Sequence, residues 1–169
     1  VMGFPMAGHL AAAGHEVTVY NRTRAKADAW VAKHGGRAAD TPAAAAQGAD
    51  IVLACVGNDD DLRAVCTGPD GAFTTMGKGA IFVDHTTVSA KVTRELYAAA
   101  KDKGLSFVDA PISGGQAGAE NAQLSIMCGG DQADYDTISA VIAVYAKLAR
   151  RIGDSGAGQM TQPCNQTAL

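Results

Sequence analysis

No basic block occurs anywhere in the chain, and its 14 Lys and Arg are outnumbered by 17 Asp and Glu, for a formal charge of -3 and a pI near 5.7. That balance argues against a nucleic-acid surface. No apolar run approaches the length of a membrane span and no charged-then-apolar leader precedes a cleavage site, so neither a membrane partner nor a secretory route is expected. Cys55, Cys66, Cys128 and Cys164 lack the C-x-x-C spacing of a metal site. Cys55 and Cys128 lie inside apolar runs, where they are expected to pack as small hydrophobes, and a reducing cytoplasm fits this usage. A Ser/His/Asp spacing is missing too. Of the four histidines, His15 falls in a turn, His9 and His34 fall on helices and are expected to be solvated, and His85 has no carboxylate orienter evident nearby. None is expected to be catalytic. The chain also opens at Val1, with no initiator methionine.

What is present is one domain's worth of core: 169 residues, 47% of them hydrophobic, with many Gly and Ala. The centre of the sequence is Asp109–Gly130, DAPISGGQAGAENAQLSIMCGG. Leu105–Ala110 reads as a strand, Pro111 ends its ladder by withholding an N–H, and Gly114 and Gly115 admit backbone angles closed to other residues beside the hydroxyl of Ser113. By themselves these residues read equally as a glycine-rich turn or as a loop able to approach a small anion.

Elsewhere β-like and α-like segments alternate, which calls for a parallel sheet flanked by helices. At the start, Pro5 suits a first helical turn, Met6 and Leu10 keep helical spacing, and Gly14 closes the helix before Glu16–Tyr20 alternates as a strand. Val1-Met2-Gly3 then supplies either the last x-x-G of a dinucleotide fingerprint or the head of an ordinary α–β unit. Neither Asp nor Glu follows Glu16–Tyr20. Asn21-Arg22-Thr23 stands there, giving a planar cation for a phosphate or simply a helix cap at Thr23 and a basic turn. Asp50–Val56 is a continuous apolar strand of the buried kind, broken by Gly57-Asn58 before Asp59 caps the next helix. Ala80–Asp84 is a further strand, and Ser89 caps a helix through Lys103 with Val92, Leu96 and Ala99–Ala100 inward. Asp131 caps a helix with Tyr135, Ile138, Val141, Ile142 and Tyr145 at core spacing, and Ala149–Ile152 is a last strand.

The stretch Asp109–Ala119 resembles the substrate-loop motif of the β-hydroxyacid dehydrogenases, the family of 3-hydroxyisobutyrate dehydrogenase and tartronate semialdehyde (2-hydroxy-3-oxopropionate) reductase, in which D-A-P-[VI]-S-G-G is followed by G-A-x-x-G. The likeness runs through nearly the whole chain, with Ala122 in place of the family's usual glycine. It implies an NADP-binding, Rossmann-like, doubly wound and mostly parallel α/β fold, short of its first strand and of the C-terminal all-helical domain. Residues 1–155 would be the cofactor domain and 156–169 the start of the inter-domain helix. The resemblance places Met2, Gly3, Asn21, Arg22, Thr23, Val56, Gly57 and Thr87 at the cofactor, with Asp84-His85-Thr86-Thr87 on the family's D-x-S-T loop. Ser113, Gly114, Gly115 and Asn165 would hold the carboxylate of a small hydroxy acid. Full-length relatives are expected to be homo-oligomers.

At Gly153–Gln166 the chain resembles G-x-x-G-A-G-x-x-x-K-x-x-N, but Gln162 occupies the position of the catalytic lysine and Pro163 follows it. A glutamine exchanges no proton near neutral pH. The implied activity is therefore hydride transfer between NADP, with NAD as an alternative, and a 3-hydroxy acid or its semialdehyde, impaired in this chain. The alternatives are an inert nucleotide-binding fragment and an imine-reductase-like enzyme. In the usual strand order the absent strand would pair with both Glu16–Tyr20 and Asp50–Val56, so the isolated polypeptide is expected to fold poorly or aggregate.

Overall fold

The computed structural model describes residues 1–167, with side chains through Gln162. In chain order the elements are α1 (Gly3–Ala12), β1 (Thr18–Val19), α2 (Arg24–His34), β2 (Arg37–Ala38), α3 (Pro42–Ala46), β3 (Ile51–Ala54), α4 (Asp59–Thr67), β4 (Ile81–Asp84), α5 (Ala90–Asp102), β5 (Ser106–Asp109), β6 (Ile112–Ser113), α6 (Gly115–Glu120), β7 (Leu124–Gly129), α7 (Gln132–Ile142), β8 (Ala146–Gly153) and α8 (Ala157–Thr167). Short 3₁₀ turns precede β4 and β8.

Strands β3, β4 and β5 pair in parallel and in strict register, Ile51 opposite Ile81 opposite Ser106 and Ala54 opposite Asp84 opposite Asp109. β7 joins β5 and β6 antiparallel and β8 parallel. This is the expected mostly parallel α/β sheet. Alternation along β4 divides the core in two. Ile81 and Val83 enter one cluster with Met6, Leu10, Val108, Ile126, Ile138 and Ile142; Phe82 enters the other with Leu62, Cys66, Phe73, Leu96 and Phe107. The Phe82 ring stacks on its cross-strand partner Phe107 at 5.5 Å between centroids, with 6° between planes.

Among the described residues β1 and β2 pair only with each other, in parallel, and form a two-stranded sheet apart from the six-stranded one. β3 consequently has one bonded edge. Every residue of β3 is half-buried, whereas every residue of β4 is buried. The fully buried strand expected at Asp50–Val56 is thus corrected to an open-edged one, and Cys55 beyond its end is exposed rather than packed. Cys128 is buried as expected.

Several caps differ from expectation because a neighbouring group reaches the backbone first. Thr23 holds the N-cap position of α2 but makes no side-chain cap; its own N–H donates to Asn21 Oδ1 at 2.9 Å. Asn58, not Asp59, caps α4, its Oδ1 accepting from Asp61 N at 2.9 Å. Asp131 makes no cap on α7, because its carboxylate is held by Tyr97 Oη–H and Lys101 Nζ. Ser89 caps α5 as expected, accepting from Val92 N, and Thr41 caps α3, accepting from Ala44 N. Two histidines expected to be solvated are half-buried instead. His9 Nε2 reaches the carbonyls of Ala119 and Glu120, closing the end of α6. His34 packs between Trp30 and Phe4, over Gly8, where a Cβ would stand 2.6 Å from its ring.

Candidate functional site

The carboxyl ends of β3, β4 and β5 open on one edge of the sheet, the place where open parallel sheets bind ligands. Val56-Gly57 follow β3, Thr86-Thr87 follow β4, and the Ser113–Gly115 loop lies just beyond β5. Thr86 Oγ1 accepts the N–H of Val56 at 3.0 Å, tying the first two loops together. The Thr86 N–H donates to Asp84 Oδ1 at 2.9 Å. Asn21–Thr23, after β1, reaches the same edge, because Arg22 Nη1 stands 3.7 Å from Asp61 Oδ1 at the start of α4. Met2 and Gly3 form the head of α1, and around Gly3 a Cβ would meet nothing within 4 Å. No side chain caps that first turn, which leaves its N–H groups for a diphosphate. The residues present therefore fit a dinucleotide.

The other wall is α8. Its first turn is held by Asp109, whose Oδ1 accepts Gly156 N at 2.8 Å and whose Oδ2 accepts Gln159 N at 3.1 Å. Close approach is possible because residue 158 is glycine: a Cβ there would lie 2.5 Å from Met127 O and 2.7 Å from Asp109 Oδ2. Gln159 bridges α8 to the β4 loop twice, accepting from Val88 N at 3.2 Å and donating to Thr86 O at 2.6 Å. One turn later Gln162, only 7% exposed, accepts from Thr87 Oγ1 at 3.1 Å and donates to Ile112 O at 3.2 Å. Gln162 thus links the expected cofactor loop to the strand that carries Ser113.

Ser113 is exposed on β6, while Gly114 at φ +131° and Gly115 at φ +63° take angles that favour glycine and turn the chain into α6. Asn165 lies within the span of α8, but its side chain is outside the described residues. Pro163 lies in the seventh position of α8, past the first turn where it is tolerated, so Gln159 O has no N–H four residues on.

The sequence places Asp109 in the loop motif without showing that it holds α8, and does not single out Gln159 or Asp61. Asp109 acts on residues 47 and 50 positions away, a separation no local pattern reveals. Among the described residues no group of three or more His, Cys, Asp or Glu is arranged to hold a metal, and no helix is long and apolar enough to cross a membrane.

Two buried ionisable groups sit beneath the site with opposed electrostatics. Burial pushes Asp84 up to about 7, against the hydrogen bonds from Thr86 that pull it down; its Oδ2 has no partner among the described residues. Burial lowers His85 to about 4. His85 Nδ1–H donates to Ala110 O at 2.7 Å, which leaves Nε2 to accept from Tyr145 Oη–H at 2.6 Å. Between about pH 4 and 6.5 the folded state holds an extra proton at Asp84, so stability falls as pH rises. Over the same window the unfolded state holds the extra proton at His85, so stability rises. These contributions, each on the order of 3–4 kcal/mol in total, oppose one another. Asp84→Asn is expected to uncover the His85 rise: in urea titrations its stability relative to wild type should climb steadily from pH 4 to 7. A difference constant with pH would show that Asp84 titrates normally.

Residues 1–158 match the family described as the NAD binding domain of 6-phosphogluconate dehydrogenase. The chain is 58% identical over 169 residues to an uncharacterized oxidoreductase of Shewanella frigidimarina, aligning over all of this chain and 58% of that protein. It is 38% identical to the probable 3-hydroxyisobutyrate dehydrogenase-like 1, mitochondrial, of Arabidopsis thaliana, over all of this chain and 50% of that one. Among solved structures, the Mycobacterium tuberculosis 3-hydroxyisobutyrate dehydrogenase with L-serine superposes with a TM-score of 0.93 at 31% identity, over 99% of this chain and 56% of that one. The chain thus spans between half and three-fifths of the length of these relatives.

Proposed function

This chain belongs to the family of the NAD binding domain of 6-phosphogluconate dehydrogenase, and from that premise we propose that it is the cofactor-binding part of an NADP-dependent β-hydroxyacid dehydrogenase whose proton-transfer position has been altered. The observation that carries the proposal is the bridge Thr87–Gln162–Ile112, which joins the cofactor loop to the substrate strand at the position of the family's lysine. When bound, the cofactor would supply a hydride to a carbonyl carbon or accept one from the carbinol carbon of the hydroxy acid. The chain's own residues do the rest. The head of α1 at Met2-Gly3 faces the diphosphate, Asn21-Arg22-Thr23 the adenosine ribose, and Val56-Gly57 and Thr87 the remainder of the dinucleotide. Ser113, the N–H groups around Gly114 and Gly115, and Asn165 hold a small acid's carboxylate.

Gln162 is neutral, and both ends of its amide are engaged. Its second N–H can hydrogen-bond a carbonyl but gives it no proton. That feature favours a second reading, an imine-reductase-like activity, because an iminium carbon accepts hydride to give an amine with no proton needed at the nitrogen. The two are separated by assaying NADPH oxidation with tartronate semialdehyde or methylmalonate semialdehyde against a cyclic imine. Turnover of neither, with NADPH bound, identifies an inert nucleotide-binding module.

Arg22 supports NADP over NAD. Its side chain is 86% exposed and turned to the same edge as Gly57. A charge-assisted hydrogen bond to a 2′-phosphate contributes about 1.5–3 kcal/mol, so Arg22→Ala is expected to shrink the preference for NADPH by about tenfold or more. Fluorescence titrations of both nucleotides check this, and equal affinities before mutation would contradict the assignment.

A further inference from the structure

Three consecutive acids, Asp59, Asp60 and Asp61, open α4 beside the proposed adenosine end of the site. The structure gives them different partners. Asp59 accepts from both the N–H and the hydroxyl of Ser89, at 3.0 and 2.6 Å. Asp60 pairs with Arg63 at 3.1 Å. Asp61 is turned the other way: its Oδ1 is 3.7 Å from Arg22 Nη1, and its Oδ2 lies 2.8 Å from where a Cβ on Gly57 would stand. Its carboxylate therefore hangs over the Gly57 backbone, between that loop and the one cation proposed to meet a 2′-phosphate. Arg24, the next cation along, is already held by Asp28 and Asp40. The acid that the end of β1 lacks is supplied from α4, across the cleft.

We propose that Asp61 is a specificity-determining residue of the cofactor site, drawing Arg22 toward itself and opposing a 2′-phosphate, so that the site discriminates against NAD far less than its Asn-Arg-Thr sequence implies. This rests on the reading that the dinucleotide lies along the carboxyl edge. A 2′-phosphate must take Arg22 from a carboxylate and then sit near that carboxylate, while a free ribose hydroxyl meets an acceptor it can donate to. Both groups are solvent-facing, with Asp61 at 37% exposure, so the effect is moderate and sensitive to salt.

The test is a set of titrations of NADPH and NADH on the protein expressed in its complete reading frame, as wild type, Asp61→Asn, Arg22→Ala and the double variant, at low and high salt. Melting temperatures confirm that each is folded. Asp61→Asn is expected to bind NADPH about tenfold more tightly at low salt, with a smaller gain at high salt and in the Arg22→Ala background, and to bind NADH no better or more weakly. If Arg22→Ala weakens NADPH while Asp61→Asn changes neither nucleotide, or tightens both equally, Asp61 is a bystander and the inference fails while the NADP reading stands. If Arg22→Ala leaves NADPH unaffected, or the folded protein binds neither nucleotide, the reading of the edge is wrong and the inference falls with it.

Discussion

Gln162→Lys is expected to raise the rate of semialdehyde reduction by about two orders of magnitude or more, because positioned general acid–base catalysis contributes typically 10²–10⁴-fold and a carboxamide contributes none of it. The structure already places this side chain. Gln162 is buried, one helical turn beyond the Asp109 and Gln159 anchors, with its amide between Thr87 Oγ1 and Ile112 O. A lysine there would start from the same backbone, and its ammonium, with three donors, can meet both oxygens. Burial without a paired carboxylate would also lower its pKa toward the working range of a proton donor. Pro163 complicates a single substitution, since it removes a helix hydrogen bond at the next residue. The comparison is therefore made in a protein completed at both ends with the Shewanella frigidimarina relative, with Pro163→Met in both versions. The gain should fall in the chemical step, seen in kcat and in kcat/KM alike. Indistinguishable rates from two folded, NADPH-binding proteins would mean that the proton comes from another group.

The polypeptide Val1–Leu169 alone is expected to show no sharp cooperative melting, and the same polypeptide preceded by a β-strand and its connecting glycines should show one. The reason is the gap in the sheet. β1 pairs only with β2, β3 only with β4, and nothing joins β1 to β3 among the described residues. Ile51, Val52, Leu53 and Ala54 are left half-buried on an open apolar edge, a template for intermolecular pairing. Burying the apolar side chains on both faces of such a strand contributes about 1.5–3 kcal/mol each, comparable in sum to the whole stability of a small domain. Calorimetry and light scattering on the two polypeptides decide the matter. A reversible, sharp transition from a monomer of Val1–Leu169 would show that the edge is tolerated.

The parallel sheet was legible in the sequence because buried strands announce themselves as short apolar runs. Ile81–Asp84 and Ser106–Asp109 lie within one residue of where those runs end. Short pieces were less legible: β2 at Arg37–Ala38 and β6 at Ile112–Ser113 have two residues each, too few for any periodicity to register. Caps were read from residue type alone, which is why Asn58 and Asp131 came out differently: which side chain reaches a free N–H depends on what else competes for it. The site divides in the same way. Gly114, Gly115 and Gln162 stand in motifs that local spacing preserves. The anchors Asp109, Gln159 and Asp61 act across loops distant in sequence, and only the folded arrangement brings them together.

A dinucleotide lying along this edge puts its diphosphate at the head of α1, where Gly3→Asp would oppose it. The substituted Cβ enters open space, with nothing within 4 Å, and an acid in the first turn of a helix is favourable to the helix itself. The same carboxylate would face the diphosphate, where two like charges about 4 Å apart at a protein surface repel by roughly 4 kcal/mol. Fluorescence titration of NADPH into the protein expressed in its complete reading frame should show affinity reduced by at least about a hundredfold in Gly3→Asp, at an unchanged or higher melting temperature. Equal NADPH affinity in the two folded proteins would contradict the placement of the cofactor.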